Sequence, residues 1–102
     1  MRAMVLEEIS PVEKEPLKMK ELPQPEPGPG EILVRVSACG VCHTELDEIE
    51  GRIEPKLPVV LGHEVIGRVE KSGSGGGKYS PGDRVGIAWI NSACGKCRFC
   101  RG

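Results

Sequence analysis

Three stretches of the chain alternate apolar and polar side chains with a period of two, which is typical of half-buried β-strands. The alternating apolar positions are Ile32, Val34 and Val36 within residues 31–38, the segment Val65-Ile-Gly-Arg-Val-Glu70, and Val85, Ile87 and Trp89. Residues 2–9 form a mixed apolar run that ends at Ser10-Pro11 and reads as an opening strand. The pattern therefore predicts a chain built mainly from short strands.

Residues that break regular structure separate these strands. The segment 22–30 is too rich in proline to supply the N–H donors of a sheet or helix, so we expect a tight connection there rather than a linker between domains. Residues 72–77 form a glycine-rich turn, and Pro81-Gly82-Asp83 makes a sharp turn into the next strand.

One short stretch, near residues 44–50, has a helical pattern. Thr44 can cap its N-terminus, Leu46 and Ile49 share a face, and Gly51 ends it. Short strands separated by turns, with one brief helix, predict a mainly β fold that forms a small, partly open β-barrel.

Composition and charge limit the possible functions. A chain of 102 residues fits one small domain, and with 3% aromatic residues its core must be built from Val, Ile and Leu. The 14 basic and 15 acidic side chains give a net charge of -1, which argues against nucleic acid as the main partner. No apolar run approaches the roughly 18 residues of a membrane span. The acidic start does not fit a secretory signal, so we expect a cytoplasmic protein whose five cysteines are reduced.

The tightest group of metal-binding residues is Cys94-Gly-Lys-Cys97-Arg-Phe-Cys100. Two-residue gaps let the chain turn back on itself, so the three thiols can converge on one ion. Zinc takes four ligands in a tetrahedron, and three thiolates therefore require a fourth. The same spacing also opens an iron–sulfur run. The strands and turns that precede this group favour zinc.

A second group combines Cys39-Gly-Val-Cys42-His43 with the step His63-Glu64. Three interpretations are open. A haem c attachment site has this spacing but needs export and a distal axial ligand. A thioredoxin-like pair belongs in a βαβ unit, and no crossover to a parallel strand follows here. The third, which we favour, is a catalytic zinc held by one thiolate and one imidazole, with Cys39 as a small apolar residue at a strand end.

These motifs occur together and in order along essentially the whole chain. They are Pro27-Gly-Pro-Gly-Glu-Ile-Leu-Val34, Gly40-Val-Cys42-His43-Thr44-Glu45-Leu46, Gly62-His63-Glu64, Gly82-Asp83-Arg84-Val85 and the cysteines of 94–100. The set resembles the medium-chain, zinc-dependent alcohol dehydrogenases, especially their bacterial and yeast-like branch. The resemblance implies that residues 1–102 adopt the GroES-like fold of the catalytic domain. For the complete enzyme it implies zinc, NAD or NADP, small primary or secondary alcohol substrates with their aldehydes or ketones, and a homo-oligomer (dimer or tetramer).

The resemblance also assigns metal ligands. It implies that Cys42 and His63 bind a catalytic zinc, and that Glu64 is the carboxylate beside this metal that can approach it during ligand exchange. A structural zinc would be bound by Cys94, Cys97 and Cys100.

Five further positions take roles from the same resemblance. Thr44 matches the hydroxyl that hydrogen-bonds the alcohol, and Asp47 stands where branch members have a histidine that ends the proton relay. His43 matches the residue that contacts the cofactor's pyrophosphate, at a helix N-terminus. Glu45 replaces the usual Asp that orients the histidine ligand. Trp89 matches a wall of the substrate pocket.

Several parts of such an enzyme are missing from this sequence. It has no G-x-G-x-x-G on a strand-to-helix turn, because the glycines at 73–77 join two strands. The third ligand of the catalytic zinc, expected to be a cysteine further along the chain, is also absent. The fourth cysteine of the structural zinc is absent as well. We therefore expect a truncated catalytic domain without its Rossmann domain, inactive alone. The alternatives are a stand-alone zinc-binding module with one borrowed ligand, and a GroES-like co-chaperone, in which the cysteines would have no purpose.

Overall fold

The structure is a computed structural model that describes residues 1–75, 77–90 and 92–102. Its strands form two open antiparallel sheets. The first pairs β1 (Arg2–Leu6) with β2 (Leu17–Glu21), and the second has the order β3 (Ile32–Cys39), β4 (Val65–Ser72), β5 (Arg84–Ile87). The helical elements are a 3₁₀ turn (Val12–Lys14), α1 (His43–Ile49) and α2 (Arg98–Arg101). The prediction of a mainly β fold is confirmed, with sheets that do not close into a barrel.

The predicted strands are present with shifted ends, and three elements are additional: β2, the 3₁₀ turn and α2. β2 is not among the predicted strands, although Leu17 and Met19 alternate there with Lys18 and Lys20. Its backbone pairs with β1 from Arg2↔Glu21 to Leu6↔Leu17. The helix α2 is exposed along its length and has no apolar stripe that the sequence could reveal. Trp89 lies outside β5, which ends at Ile87.

The two faces of β3 differ from the predicted alternation. Leu33 is buried, whereas Val36 is 57% exposed. Register shifts between Leu33 and Val34 and between Val36 and Ala38 interrupt the pairing with β4. Because a one-residue shift moves the following side chains to the opposite face, the period of two does not persist along this strand.

The apolar core is small and draws its residues from both sheets and α1. Its buried members are Val5, Leu6, Leu33, Ile49 and Val69. Leu6 is fully buried, and its backbone exchanges hydrogen bonds of 2.8 and 3.0 Å with Val59. This bridge ties β1 to the loop that leads to His63.

The predicted cap of α1 is wrong. The N-cap is Cys42 rather than Thr44: the Thr44 N–H donates to the Cys42 Sγ over 3.3 Å, and the Glu45 carboxylate accepts from the Cys42 N–H over 2.7 Å. This reciprocal arrangement is a capping box with a thiol in place of the usual hydroxyl. Gly51, at φ 82°, lies just beyond the helix, as predicted.

The predicted turn at Pro81-Gly82-Asp83 is confirmed. Gly82 has a φ of 93°, and the Asp83 carboxylate accepts from the Ser80 N–H over 2.9 Å. The predicted glycine-rich turn at 72–77 includes Gly76, which lies outside the described residues. Within the described ranges, no helix is long and apolar enough to cross a membrane.

Candidate metal centres

The first candidate centre forms where the loop between β3 and α1 meets the loop before β4. Cys42 precedes α1 directly, and His63 and Glu64 precede β4. The Cys42 Sγ lies 3.3 Å from the His63 Nε2, and the nearer Glu64 carboxylate oxygen lies 3.9 Å from that nitrogen. The ligand atoms of the three residues all lie within 4.8 Å of one another.

Glycines make this close approach possible. The Gly40 N–H donates to the backbone oxygen of Glu64 over 3.0 Å, which pins the two loops together. A methyl group on Gly40 would overlap with the Glu64 carboxylate. Gly62 has a φ of 130°, and a side chain there would reach within 2.7 Å of the Cys39 Sγ. Cys39 itself ends β3 and lies outside this group of ligands.

The distances fit a zinc ion. Tetrahedral zinc with Zn–S of about 2.3 Å and Zn–N of about 2.05 Å separates the sulfur from the nitrogen by about 3.6 Å. The observed separation of 3.3 Å between Cys42 and His63 is close to this value. Cysteine, histidine and glutamate are all ordinary zinc ligands. The residues present can therefore bind the metal with little rearrangement.

Glu45 connects the two ligands of this centre. One carboxylate oxygen accepts from the Cys42 N–H, and the other lies 2.7 Å from the His63 Nδ1. Glu45 is 8% exposed, so both contacts are shielded from water. A carboxylate on Nδ1 keeps the proton there and leaves Nε2, the nitrogen that faces Cys42, to bind a metal. The longer side chain in place of the expected Asp thus spans both groups.

His43 and Asp47 lie on the exposed side of α1. The His43 Nδ1 is 3.2 Å from one Asp47 oxygen, and the Arg52 Nε donates to the other over 2.6 Å. The hydrogen bond from Arg52 holds the pKa of the Asp47 carboxyl below its ordinary value, with a smaller contribution from His43. A carboxylate with two donors is a weak proton acceptor, so this arrangement does not favour Asp47 at the end of a proton relay.

Trp89 lies against the first centre. Its ring centroid is 4.7 Å from that of His63, and the planes are inclined at 57°. The two rings line a cleft of about 260 Å³ together with Glu48 and residues 59–62. Thr44 is half-buried and is held beside Cys42 by its backbone N–H.

The second candidate centre is the exposed group of Cys94, Cys97 and Cys100. The Cys100 Sγ lies 3.7 Å from the Cys94 Sγ and 3.5 Å from the Cys97 Sγ. Sulfurs bound to tetrahedral zinc are about 3.8 Å apart, so the three thiols fit one ion. The N–H groups of Lys96 and Cys97 donate to the Cys94 sulfur and lower its pKa to about 7. Among the described residues, no fourth Cys, His, Asp or Glu joins them.

Two residues that position candidate site residues could not be identified from the sequence. Gly40 belongs to the quoted motif, but its need for a small side chain appears only when Glu64 is placed beside it. Arg52 follows Asp47 by five residues and contacts it from beyond the end of α1. No helical spacing rule connects that pair.

Comparison with known proteins shows the family of the chain. Residues 28–102 match the family described as the alcohol dehydrogenase GroES-like domain. An alcohol dehydrogenase of Geobacillus stearothermophilus is 47% identical over 102 residues, which are 98% of this chain and 29% of that enzyme. The chain thus spans about three tenths of the length of this relative.

Solved structures agree with this match. An NAD-dependent alcohol dehydrogenase aligns with a TM-score of 0.82 and 37% identity, covering 99% of this chain and 29% of that one. A thermostable alcohol dehydrogenase from Pyrobaculum aerophilum, with cobalt and zinc bound, aligns with a TM-score of 0.84 and 35% identity, covering 99% and 30%. The chain belongs to the alcohol dehydrogenase GroES-like domain family, as the order of its motifs predicts.

Proposed function

We propose that this chain is the zinc-binding part of the catalytic domain of an NAD- or NADP-dependent alcohol dehydrogenase. The observation that carries the proposal is the group Cys42, His63 and Glu64, with Glu45 hydrogen-bonded to the first two. A site for zinc requires ligand atoms at bonding separation and a fixed histidine tautomer. Both requirements are met without moving the backbone.

Each residue then has a defined task. Bound zinc would supply Lewis acidity that lowers the pKa of an alcohol towards neutral pH. Cys42 and His63 hold the metal, and Glu45 keeps the His63 Nδ1 protonated. Thr44, two residues after Cys42, accepts or donates the hydrogen bond to the alcohol hydroxyl. Glu64 stands next to the ligands as an exchangeable carboxylate.

The cleft beside the metal group takes the substrate. Trp89 and His63 form one wall of a space of about 260 Å³, which suits a small primary or secondary alcohol. Trp89 is 63% exposed, so its outer face is available to further parts of the enzyme.

The second centre is proposed as a structural zinc site. Cys94, Cys97 and Cys100 provide three thiolates, and a fourth ligand completes the tetrahedron. All five cysteines of the chain are free of disulfide bonds, in keeping with a reducing compartment such as the cytoplasm.

The remaining parts of the proposal concern the whole enzyme. His43 contacts the cofactor's pyrophosphate, and a nucleotide-binding Rossmann domain supplies the rest of the cofactor site. The enzyme assembles as a homodimer or homotetramer, as the family resemblance implies. The 102 residues alone lack the cofactor site, so mixing them with NAD and ethanol yields no NADH. Sustained turnover by this chain would contradict the proposal that a separate domain supplies the cofactor site.

Cobalt substitution tests the catalytic site directly. Cobalt bound to a thiolate gives a charge-transfer absorption, so the bands of the cobalt-loaded chain report each bound cysteine. We expect Cys42→Ser to remove part of this absorption, while Cys39→Ser, a neighbouring cysteine outside the group, leaves it unchanged. Equal spectra for Cys42→Ser and the unmodified chain would overturn the proposed site.

A stand-alone zinc module is the second candidate. The observation that favours it is the exposed group of three thiols that lacks a fourth ligand among the described residues. Such a module would borrow a ligand across a dimer. One tightly held zinc per two chains, measured by metal analysis with sedimentation, would support it.

A further inference from the structure

A chain of hydrogen bonds extends from the exposed imidazole of His43 to the loop after α1. One Asp47 oxygen faces the His43 Nδ1 at 3.2 Å, and the other accepts from the Arg52 Nε over 2.6 Å. A second Arg52 nitrogen, Nη1, lies 2.8 Å from Glu50, whose other oxygen accepts from the Val12 N–H over 3.1 Å. The network therefore links both ends of α1 to the 3₁₀ turn.

The backbone strengthens this arrangement at Arg52. The N–H groups of Arg52 and Ile53 both donate to the Asp47 carbonyl, over 2.8 and 3.2 Å. Both the backbone and the side chain of Arg52 are therefore hydrogen-bonded to Asp47. A two-point attachment of this kind costs little side-chain entropy, because the fork of the guanidinium is planar and preorganised.

The charges in this network have an electrostatic consequence. The His43 imidazole is 75% exposed and uses Nδ1 internally, which leaves Nε2 for an external ligand. A bare carboxylate next to that imidazole would repel an anion. Arg52 places a positive charge against the far oxygen of Asp47 and shares it with Glu50, so it offsets part of the negative charge behind the imidazole.

We propose that Arg52 is a positioning residue for His43: it fixes Asp47, which in turn orients the imidazole and keeps its proton on Nδ1. The inference rests on the proposed function in one respect, that the external ligand of His43 is a phosphate group of the cofactor. Asp47 is then part of an anion site rather than the end of a proton relay.

The tautomer of His43 tests the positioning role without any cofactor. The chain has two histidines, so long-range proton–nitrogen spectra of the ¹⁵N-labelled chain resolve both rings. The spectra are recorded at about pH 8.5, well above an ordinary imidazole pKa. We expect the Nδ1–H form at His43, although free imidazole side chains in water favour Nε2–H. Asp47→Ala should return His43 to the Nε2–H form.

Arg52→Gln is the decisive variant. We expect it to lower the Nδ1–H fraction of His43 at least twofold and to leave His63 unchanged, which also checks that the fold is intact. Arg52→Lys keeps the charge but cannot contact Asp47 and Glu50 with the same fork, so it should give an intermediate fraction. It also serves as the test if Arg52→Gln does not fold.

The matched control is Arg35→Gln, since Arg35 pairs with a glutamate on the three-stranded sheet, away from α1. An unchanged His43 tautomer in both Arg52 variants would overturn the proposal. So would an equal response to Arg35→Gln.

Inorganic pyrophosphate tests the anion site separately. Added pyrophosphate should shift the His43 signals. Arg52→Gln should weaken this binding about threefold or more, because it removes one positive charge a few ångströms from the ligand in a water-like dielectric. Asp47→Asn combined with Arg52→Gln should recover affinity. His43 signals that do not shift with pyrophosphate would contradict the phosphate contact of the proposed function. The role of Arg52 would still be decided by the tautomer measurements.

Discussion

The substitution Glu45→Gln probes the connection between the two principal ligands of the first centre. The carboxylate accepts two hydrogen bonds, one from the Cys42 N–H and one from the His63 Nδ1, and both distances are 2.7 Å. A glutamine of the same shape has only one acceptor oxygen. Its NH₂ group must then face one of these two donors. His63 can relieve the conflict by moving its proton to Nε2, which is the nitrogen the metal needs.

The expected magnitude follows from burial and from the charge of the acceptor. Hydrogen bonds to a charged group contribute about 1.5–3 kcal/mol. Glu45 is 8% exposed, so water can hardly replace a hydrogen bond that is lost there. Losing one of the two should cost about 1.5–3 kcal/mol of binding free energy. That corresponds to a fall in zinc affinity of roughly 10–100-fold, the range found when residues that orient a ligand are removed. The free energy of unfolding of the metal-free chain should also fall, by about 1 kcal/mol, because the capping box is impaired.

Zinc affinity can be measured by competition with a chromophoric chelator. For this measurement Cys97→Ser disrupts zinc binding at the second centre, so that the measured affinity is that of Cys42 and His63. Glu48→Gln is the matched control, since it makes the same change on the same helix and lines the neighbouring cleft. We expect Glu48→Gln to change the affinity less than threefold. Equal affinities for Glu45→Gln and Glu48→Gln would refute the reasoning.

Three further predictions follow from the geometry. A methyl group on Gly67 would overlap with the backbone of β3, so Gly67→Ala should cost about 1–3 kcal/mol in urea unfolding, whereas Gly77→Ala, with nothing within 4 Å, should be nearly neutral. Gly40→Ala should displace the carboxylate of the first centre and lower zinc affinity about tenfold; unchanged affinity would exclude that carboxylate from the ligands. The lowered pKa of Asp47 means that its ionised form stabilises the fold above the unfolded carboxyl's pKa, and that this contribution disappears as pH falls through the lowered value. Arg52→Gln should therefore flatten the loss of stability in acid, and identical pH profiles would contradict this pairing.

The placement of the candidate metal ligands was largely predictable from the sequence. Cys42 and His63 are 21 residues apart, yet each flanks an end of a strongly patterned strand. Because β3 and β4 pair antiparallel, with Cys39 opposite Val65, the ends that carry these two residues necessarily meet. The three cysteines of the second centre are close through local spacing alone.

Other features could not be predicted, because they depend on contacts between side chains and a folded backbone. The sequence assigned the cap of α1 to Thr44, since hydroxyls are common caps and thiols are not. Glu45 was expected to orient the histidine ligand in place of the usual Asp, and only the distances to Cys42 and His63 reveal its double contact. β2 is short and mostly exposed, so its two apolar residues are a weak signal, and its pairing with β1 identifies it as a strand.

The most direct test of the account is the zinc content of the purified chain after Cys97→Ser, alone and combined with Cys42→Ser. The first variant disrupts the exposed thiol group and leaves Cys42, His63 and Glu64 intact. The account predicts about one zinc per chain in Cys97→Ser, bound by one thiolate and one imidazole, and loss of that zinc when Cys42→Ser is added. The account would be contradicted if Cys97→Ser removed all the zinc and Cys42→Ser did not change the metal content.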